Sequence, residues 1–114
     1  MTDFARQVYD TLLKIPRGKV VSYSQLALLC GKPFACRAVG NILHNNPMPV
    51  VVPCHRVVNA QGNLAVKFGF GGAEEQRRLL EEENVGFDEK GRVRRDFFLN
   101  ADYFLSADFE CAYE

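Results

Sequence analysis

A chain of 114 residues is the size of one domain, and 47% hydrophobic, 25% charged and 11% aromatic residues describe a folded globular protein, not a disordered or collagen-like one. Fourteen Lys and Arg balance fourteen Asp and Glu, which argues against holding nucleic acid through bulk positive charge. No apolar stretch is long enough to cross a membrane and no basic-then-apolar leader precedes a cleavage site, so a cytoplasmic protein is expected.

Thr2 or Asp3 is placed to cap a first helix, in which Phe4, Val8, Leu12 and Ile15 recur at helical spacing until Pro16 and Gly18 stop it. Val20-Val21 reads as a short extended piece. Ser22-Tyr23-Ser24-Gln25 is a capping box opening a second helix that ends at Gly31. Pro33 suits the first turn of a third helix running to about His44. Helix, turn, short helix, glycine-containing turn and helix make the pattern of a helix-turn-helix module. Asn45-Asn46-Pro47 and Pro49 then open a loop, and Val50-Val51-Val52 reads as a buried extended segment bounded by Pro53. Val57-Val58, a turn over Asn59 to Asn63, and Leu64 to Phe68 read as a hairpin, or wing. A last helix runs from Ala73 to about Asn84 with Leu79-Leu80 inward. Beyond Gly86 the composition shifts to a charged turn and a tail holding seven of the thirteen aromatic residues. The predicted organisation is residues 1–86 as the working unit and 87–114 as an aromatic-rich extension packed on it.

The balanced charge is unevenly spread. Residues 1–56 carry seven basic and two acidic side chains, a net of +5, whereas residues 57–114 carry seven basic and twelve acidic ones, a net of −5. The four cysteines, Cys30, Cys36, Cys54 and Cys111, form no C-x-x-C pair, and their spacings of 6, 18 and 57 suit no zinc ribbon or finger. No metal site and no cofactor are expected.

Pro53-Cys54-His55-Arg56 is the stretch richest in chemistry. Positive charge flanking Cys54 favours the thiolate, the nucleophilic form. Pro53 fixes the approach of the backbone and excludes a helix through the site. His55 is placed to act as a base, directly or through a water, where a carboxylate orients its second ring nitrogen. Adjacent residues on a strand point to opposite faces, so the dipeptide alone is not a working pair.

Taken in order, Ser22-Tyr23-Ser24-Gln25-Leu26-Ala27, Arg37-Ala38-Val39-Gly40, Asn46-Pro47, Pro53-Cys54-His55-Arg56-Val57-Val58, Gly71-Gly72, Leu79-Leu80 and Glu83 resemble the catalytic domain of the O6-alkylguanine-DNA alkyltransferases. The resemblance spans residues 2–86. It implies a mostly α, winged-helix-like helix-turn-helix DNA-binding domain with a small β wing, acting as a monomer on double-stranded DNA from the minor groove. The damaged guanine turns out of the stack, and its O6-alkyl group moves to Cys54 as a thioether. Nothing in the sequence offers a way to reverse that bond, so each molecule reacts once. By the same resemblance Arg37 fills the vacated place in the stack, while Ala35, Ala38 and Gly40 let the helix lie close to the sugar-phosphate edges and Arg56 adds a DNA contact. Tyr23 moves the target phosphate and protonates the departing guanine. Asn46 supports the active-site hydrogen bonds. Glu83 completes a Glu–His–water–Cys relay, with Glu81 and Glu82 beside it as alternatives in register. Leu43, Val57, Phe70 and Gly71 line the substrate pocket.

The resemblance is imperfect. No counterpart of the family's usual amino-terminal domain is recognised, the loop from Gly62 to Gly71 is longer than in the best-known members, and Gly69-Phe70 stands where many have a polar pair. That last change suggests weaker methyl transfer or a wider pocket. A second reading is a non-enzymatic alkyltransferase-like protein that binds the lesion and recruits other repair proteins. The members that do so replace the cysteine, usually with Trp, whereas Cys54 is retained and the chain has no Trp. A third, a winged-helix regulator without lesion chemistry, leaves the Pro53–Arg56 motif and Glu83 unexplained. With the basic half over the helix-turn-helix and Cys54, modest and salt-sensitive DNA binding is expected.

Overall fold

A computed structural model describes residues 2–46, 51–65 and 71–99. Helix α1 (Asp3–Leu12) is capped by Thr2, whose hydroxyl accepts from Ala5 N at 3.1 Å. It buries Ala5, Val8, Tyr9 and Leu12, with Ile15 buried just beyond its end. Strand β1 (Val21–Ser22) runs directly into α2 (Tyr23–Leu29). The capping box is present in full: Gln25 N donates to Ser22 Oγ at 3.0 Å, and Ser22 N donates to Gln25 Oε1 at 2.8 Å. The helix stops in a Schellman arrangement, with Gly31 N bonded to Leu28 O and Lys32 N to Ala27 O. Gly31 supplies the φ of 81° that this closure requires.

Helix α3 (Cys36–His44) begins later than Pro33 predicts. Ala35 N bonds Lys32 O at 2.9 Å, so Pro33 is the second residue of a four-residue turn. Its ring-fixed φ suits that position as well as the first turn of a helix, and the backbone took the turn. α3 packs on α2 and α1, giving the helix-turn-helix arrangement.

Strand β2 (Val57–Val58) pairs in parallel with β1, Val21 opposite Val57 and Ser22 opposite Val58. This corrects the hairpin expectation. The turn over Asn59–Asn63 forms, with Asn59 Oδ1 accepting from Gln61 N and Asn63 N. Of its far arm, the described residues Leu64 and Ala65 form no strand, and Ala65 N donates instead to the side chain of Gln76. The rest of the predicted arm, Val66 to Phe68, lies outside the described residues. So does Val50, while Val51 is exposed in a turn and Val52 is buried. A side chain on Gly62, at φ 88°, would meet Val93 O at 2.6 Å, so the turn lies flat on the chain ahead of it.

Helix α4 (Gly72–Glu82) packs on the 3-10 turn Cys54–Arg56. Because successive strand residues face opposite sides, the short sheet divides two apolar clusters. Val21 and Val57 face one formed with α1, α2, α3 and Cys54. Val20 and Val58 face a second with Leu80, Val85 and Val93, packed by Phe87, Phe97 and Phe98. The segment after α4 is therefore part of the fold as far as Leu99: Val20 N bonds Phe97 O and Leu99 N bonds Val20 O. The remaining tail, 100–114 with Cys111, lies outside the described residues.

The box at Ser22 anchors both β1 and α2. Ser22→Ala is expected to lower the free energy of unfolding by about 1 kcal/mol, read by urea denaturation.

Candidate functional site

Pro53 creates the local shape. At φ −80° and ψ 66° it is the centre of an inverse γ-turn, closed by Cys54 N on Val52 O at 2.8 Å. The chain then coils into the 3-10 turn Cys54–Arg56, with Arg56 N on Pro53 O at 3.0 Å. Cys54, His55 and Arg56 therefore leave the backbone in different directions from a tight turn. The opposite-face argument from a strand does not apply. Cys54 is buried in the first cluster and His55 is 1% exposed.

Glu83 reaches this turn from the end of α4. Asn84, at φ 64°, closes the helix in a second Schellman arrangement, Asn84 N on Glu81 O and Val85 N on Leu80 O. Glu83 is left at the cap position, buried and turned inward, whereas Glu81 and Glu82 are exposed. The register ambiguity among the three glutamates is resolved by burial. Glu83 Oε2 lies 2.9 Å from His55 Nε2.

Arg56 corrects an expectation. Predicted to contact DNA, its guanidinium is instead committed inward: Nε donates to Glu83 Oε1 at 2.9 Å, Nη2 to Glu83 Oε2 at 2.8 Å and Nη1 to Ile15 O at 2.7 Å. The fork matches the carboxylate in a bidentate pair. It ties the Cys54–Arg56 turn both to the end of α4 and to the end of α1. Arg17 reinforces the seam by donating to Glu82 O at 2.7 Å.

Electrostatics follow from this geometry. Burial disfavours ionised Glu83, but the hydrogen bonds from Arg56 and His55 outweigh it and bring the carboxyl down to about 2. Burial lowers His55 below its ordinary value, against the pull of Glu83. The imidazole is thus neutral near pH 7. Since a carboxylate only accepts, the ring proton sits on Nε2 and the lone pair on Nδ1. Nδ1 is buried with no hydrogen-bond partner among the described residues. Burial also pushes the Cys54 thiol up, only partly offset by hydrogen bonds from the Asn46 side chain and the backbone. The predicted stabilisation of a thiolate by flanking charge is therefore not found. Arg56 is neutralised by Glu83, and the resting sulfur holds its proton.

The other predicted residues fall in two groups. Tyr23 opens α2 and packs on the cluster holding Cys54; burial raises its hydroxyl, as does charge on Cys54. Asn46 is buried and donates to Val52 O at 2.8 Å, holding the segment that leads into Pro53. Leu43 and Val57 are buried in the same cluster as Cys54. Gly71 precedes α4, and Phe70 lies outside the described residues. Away from this centre, Arg37 and Ala38 are exposed on α3, with Ala35 and Gly40 half-buried. A methyl group added to Gly40 would meet nothing within 4 Å, so the protein's own packing does not require glycine there.

Two further residues escaped the sequence reading. Gln76, fully buried, donates to His55 O at 3.2 Å and Val57 O at 2.9 Å and accepts from Ala65 N. Its spacing from Leu80 and Glu83 on one helical face was the available signal. Tyr9 donates to Ile42 O at 2.6 Å, bracing α3 on α1, and its hydroxyl is raised by burial and then by charge on Cys54. Among the described residues no cluster of three His, Cys, Asp or Glu side chains is placed to hold a metal ion, and no helix is long and apolar enough to cross a membrane.

Comparison with known proteins places the chain among relatives. The family described as 6-O-methylguanine DNA methyltransferase, DNA binding domain, matches residues 3–85. The methylated-DNA–protein-cysteine methyltransferase of Cricetulus griseus is 45% identical over 83 residues, covering 72% of this chain and 39% of that protein. The crystal structure of Mycobacterium tuberculosis OGT in complex with DNA aligns with a TM-score of 0.65 at 44% identity, over 73% of this chain and 50% of that one. The structure of S. pombe Atl1 in complex with damaged DNA containing O6-carboxymethylguanine aligns with a TM-score of 0.75 at 30% identity, over 88% of this chain and 97% of that one. The chain thus spans half or less of these two methyltransferases but nearly all of Atl1.

The buried triad gives a signed pH dependence. His55, lowered in the folded state, costs stability as pH falls below its ordinary 6.5, because the unfolded chain takes the proton first. Glu83, lowered from 4.5 to about 2, contributes stability above 4.5 that is lost as pH falls toward 2. Glu83→Gln leaves Arg56 without its anion and is expected to cost about 3 kcal/mol at neutral pH. In urea denaturation its deficit against the parent protein shrinks as pH approaches 2; a deficit independent of pH would contradict the pairing.

Proposed function

The chain belongs to the 6-O-methylguanine DNA methyltransferase family, and from that premise we propose that it repairs O6-alkylguanine in duplex DNA by moving the alkyl group to Cys54. The carrying observation is the arrangement at His55: one ring nitrogen held by an ionised, buried carboxylate, the other a buried lone pair next in chain to a buried thiol.

On this reading a water passes the Cys54 proton to His55 Nδ1. Glu83 stabilises the resulting imidazolium, and Arg56 keeps Glu83 ionised and aimed. The sulfur lone pair attacks the alkyl carbon, the carbon–O6 bond breaks, and its electron pair stays on the guanine. Tyr23 supplies the proton that lets the base leave neutral. Its raised hydroxyl fits a group that holds a proton until negative charge develops beside it. The products are guanine in DNA and a thioether on a spent protein. Asn46 keeps the entry to Pro53 fixed, and Leu43, Val57 and Gly71 form the pocket wall.

Recognition falls to α3. DNA is met from the minor groove, Arg37 occupies the place of the turned-out base, and Ala35, Ala38 and Gly40 keep the helix surface low enough for close approach. Residues 1–86 form the reacting unit, with the segment 87–99 packed on it, and the protein works as a cytoplasmic monomer. The extent of the match to Atl1 favours a second reading, lesion binding without transfer, with other repair proteins recruited to the site. Cys54 and its relay favour transfer.

Intact-protein mass spectrometry after incubation with an O6-methylguanine duplex decides between them. The expected result is a gain of about 14 Da on the peptide containing Cys54, with no second turnover; tight binding without an adduct would select the second reading. Two α3 variants test recognition separately. Arg37→Ala should weaken lesion-duplex binding by about 10- to 100-fold while leaving the thiol's reaction with free O6-methylguanine base unchanged. Gly40→Ala should raise stability by about 0.5–1 kcal/mol, as expected for glycine in a helix interior, yet weaken duplex binding in fluorescence anisotropy.

A further inference from the structure

Phe34 is 97% exposed at the third position of the Lys32–Ala35 turn. Nothing in the fold asks for an aromatic residue there. The turn needs Pro33 at its second position and tolerates any residue at its third. The other phenylalanines among the described residues are half-buried, and each lies under a cation: Phe4 under Lys32, Phe87 under Arg77, Phe97 under Arg94 and Phe98 under Arg95. Phe34, among the described residues, has neither burial nor a cation over its ring.

Its surroundings identify what the ring meets. Phe34 stands three residues before Arg37, at the same end of α3, and both are exposed. The residues between and just beyond them, Ala35, Cys36 and Ala38, are small. No Asp or Glu occurs anywhere from Thr11 to Ala73, whereas Lys32 and Arg37 flank Phe34 in sequence. An exposed phenyl group on an acid-free stretch of chain, with cationic and small neighbours, suits a polyanion that also offers flat apolar faces. Minor-groove proteins use apolar side chains in this way, wedging them between base steps so that the duplex opens toward the protein.

We propose that Phe34 is a second DNA wedge, entering the minor groove beside Arg37 and unstacking the base step next to the lesion. The inference rests on the DNA-repair reading above and extends it to a residue outside the reacting centre. Arg37 would fill the place of the departed base, and Phe34 would hold the neighbouring step apart, sharing the unstacking cost between two side chains.

The test uses a duplex carrying O6-methylguanine with 2-aminopurine at the adjacent step, since 2-aminopurine brightens on unstacking. The parent protein is expected to bind and brighten the probe. Phe34→Ala should bind about tenfold more weakly and lose most of the brightening. Phe34→Trp, which keeps an aromatic face, should retain both. All three proteins should share one thermal midpoint and one rate of Cys54 alkylation by free O6-methylguanine base. Binding and brightening by Phe34→Ala equal to the parent would overturn the wedge alone. A lowered thermal midpoint in Phe34→Ala would also overturn it, by making the residue a support of the fold. Failure of the parent to bind any duplex would bring down the wedge together with the DNA reading.

Discussion

Two side chains share one carboxylate, and the molecule is arranged around that sharing. Glu83, itself buried, accepts two hydrogen bonds from Arg56 and one from His55. Removing any partner leaves charge or a polar atom stranded where it is expensive. The arrangement also opposes its own helix, because an anion at the C-terminal end of α4 meets the unfavourable pole of the macrodipole. Arg17 and Arg56, both reaching this end from the other side of the fold, offset that conflict. A local penalty is tolerated because it orients the imidazole.

The division of the core serves the same end. β1 and β2 contribute only two residues each, too little to form a sheet of independent stability. What they provide is a partition. One side receives Val21, Val57 and Cys54, the other Val20, Val58 and Leu80. The Cys54–Arg56 turn crosses between the two clusters, so its sulfur belongs to the helix-turn-helix side and its guanidinium to the α4 side. Gln76 fixes the crossing by bonding two carbonyls of the turn and strand. α3, which carries Arg37, and α4, which is capped by Glu83, are therefore joined through a few residues around position 55.

What could be read from the chain was whatever depends on near neighbours. The box at Ser22, the stop at Gly31 and the turn at Asn59 are each specified within a few residues, and each formed as read. Pro33 was ambiguous in principle, because one fixed φ serves two backbones and no neighbour selects between them. The strand pairing was not local at all. Val57-Val58 has a nearby hairpin candidate, yet its partner is Val21-Ser22, chosen by the two clusters it must separate. The site divided along the same line. Cys54 and His55 were conspicuous, and the family pattern pointed to Glu83. The inward turn of Arg56 depended on a carboxylate 27 positions away and a carbonyl 41 away, distances over which spacing conveys nothing. Taking Arg56 for a free cation led directly to expecting a thiolate.

The protonated state of Cys54 has a consequence if the protein reacts as proposed, once per molecule. On the proposed chemistry each molecule is a reagent with a single use, and every encounter with a stray electrophile or oxidant before the lesion is found removes it from service. A thiol made reactive by nearby positive charge would be consumed steadily while waiting, since thiolates are the species that oxidants and alkylating agents attack. Burial of the sulfur and neutralisation of Arg56 prevent this. Reactivity is then confined to the moment when an alkyl carbon is presented beside His55 and its base can act. Discrimination is obtained by keeping the nucleophile dormant, and the working lifetime of the unreacted protein follows from the same burial that forms its core.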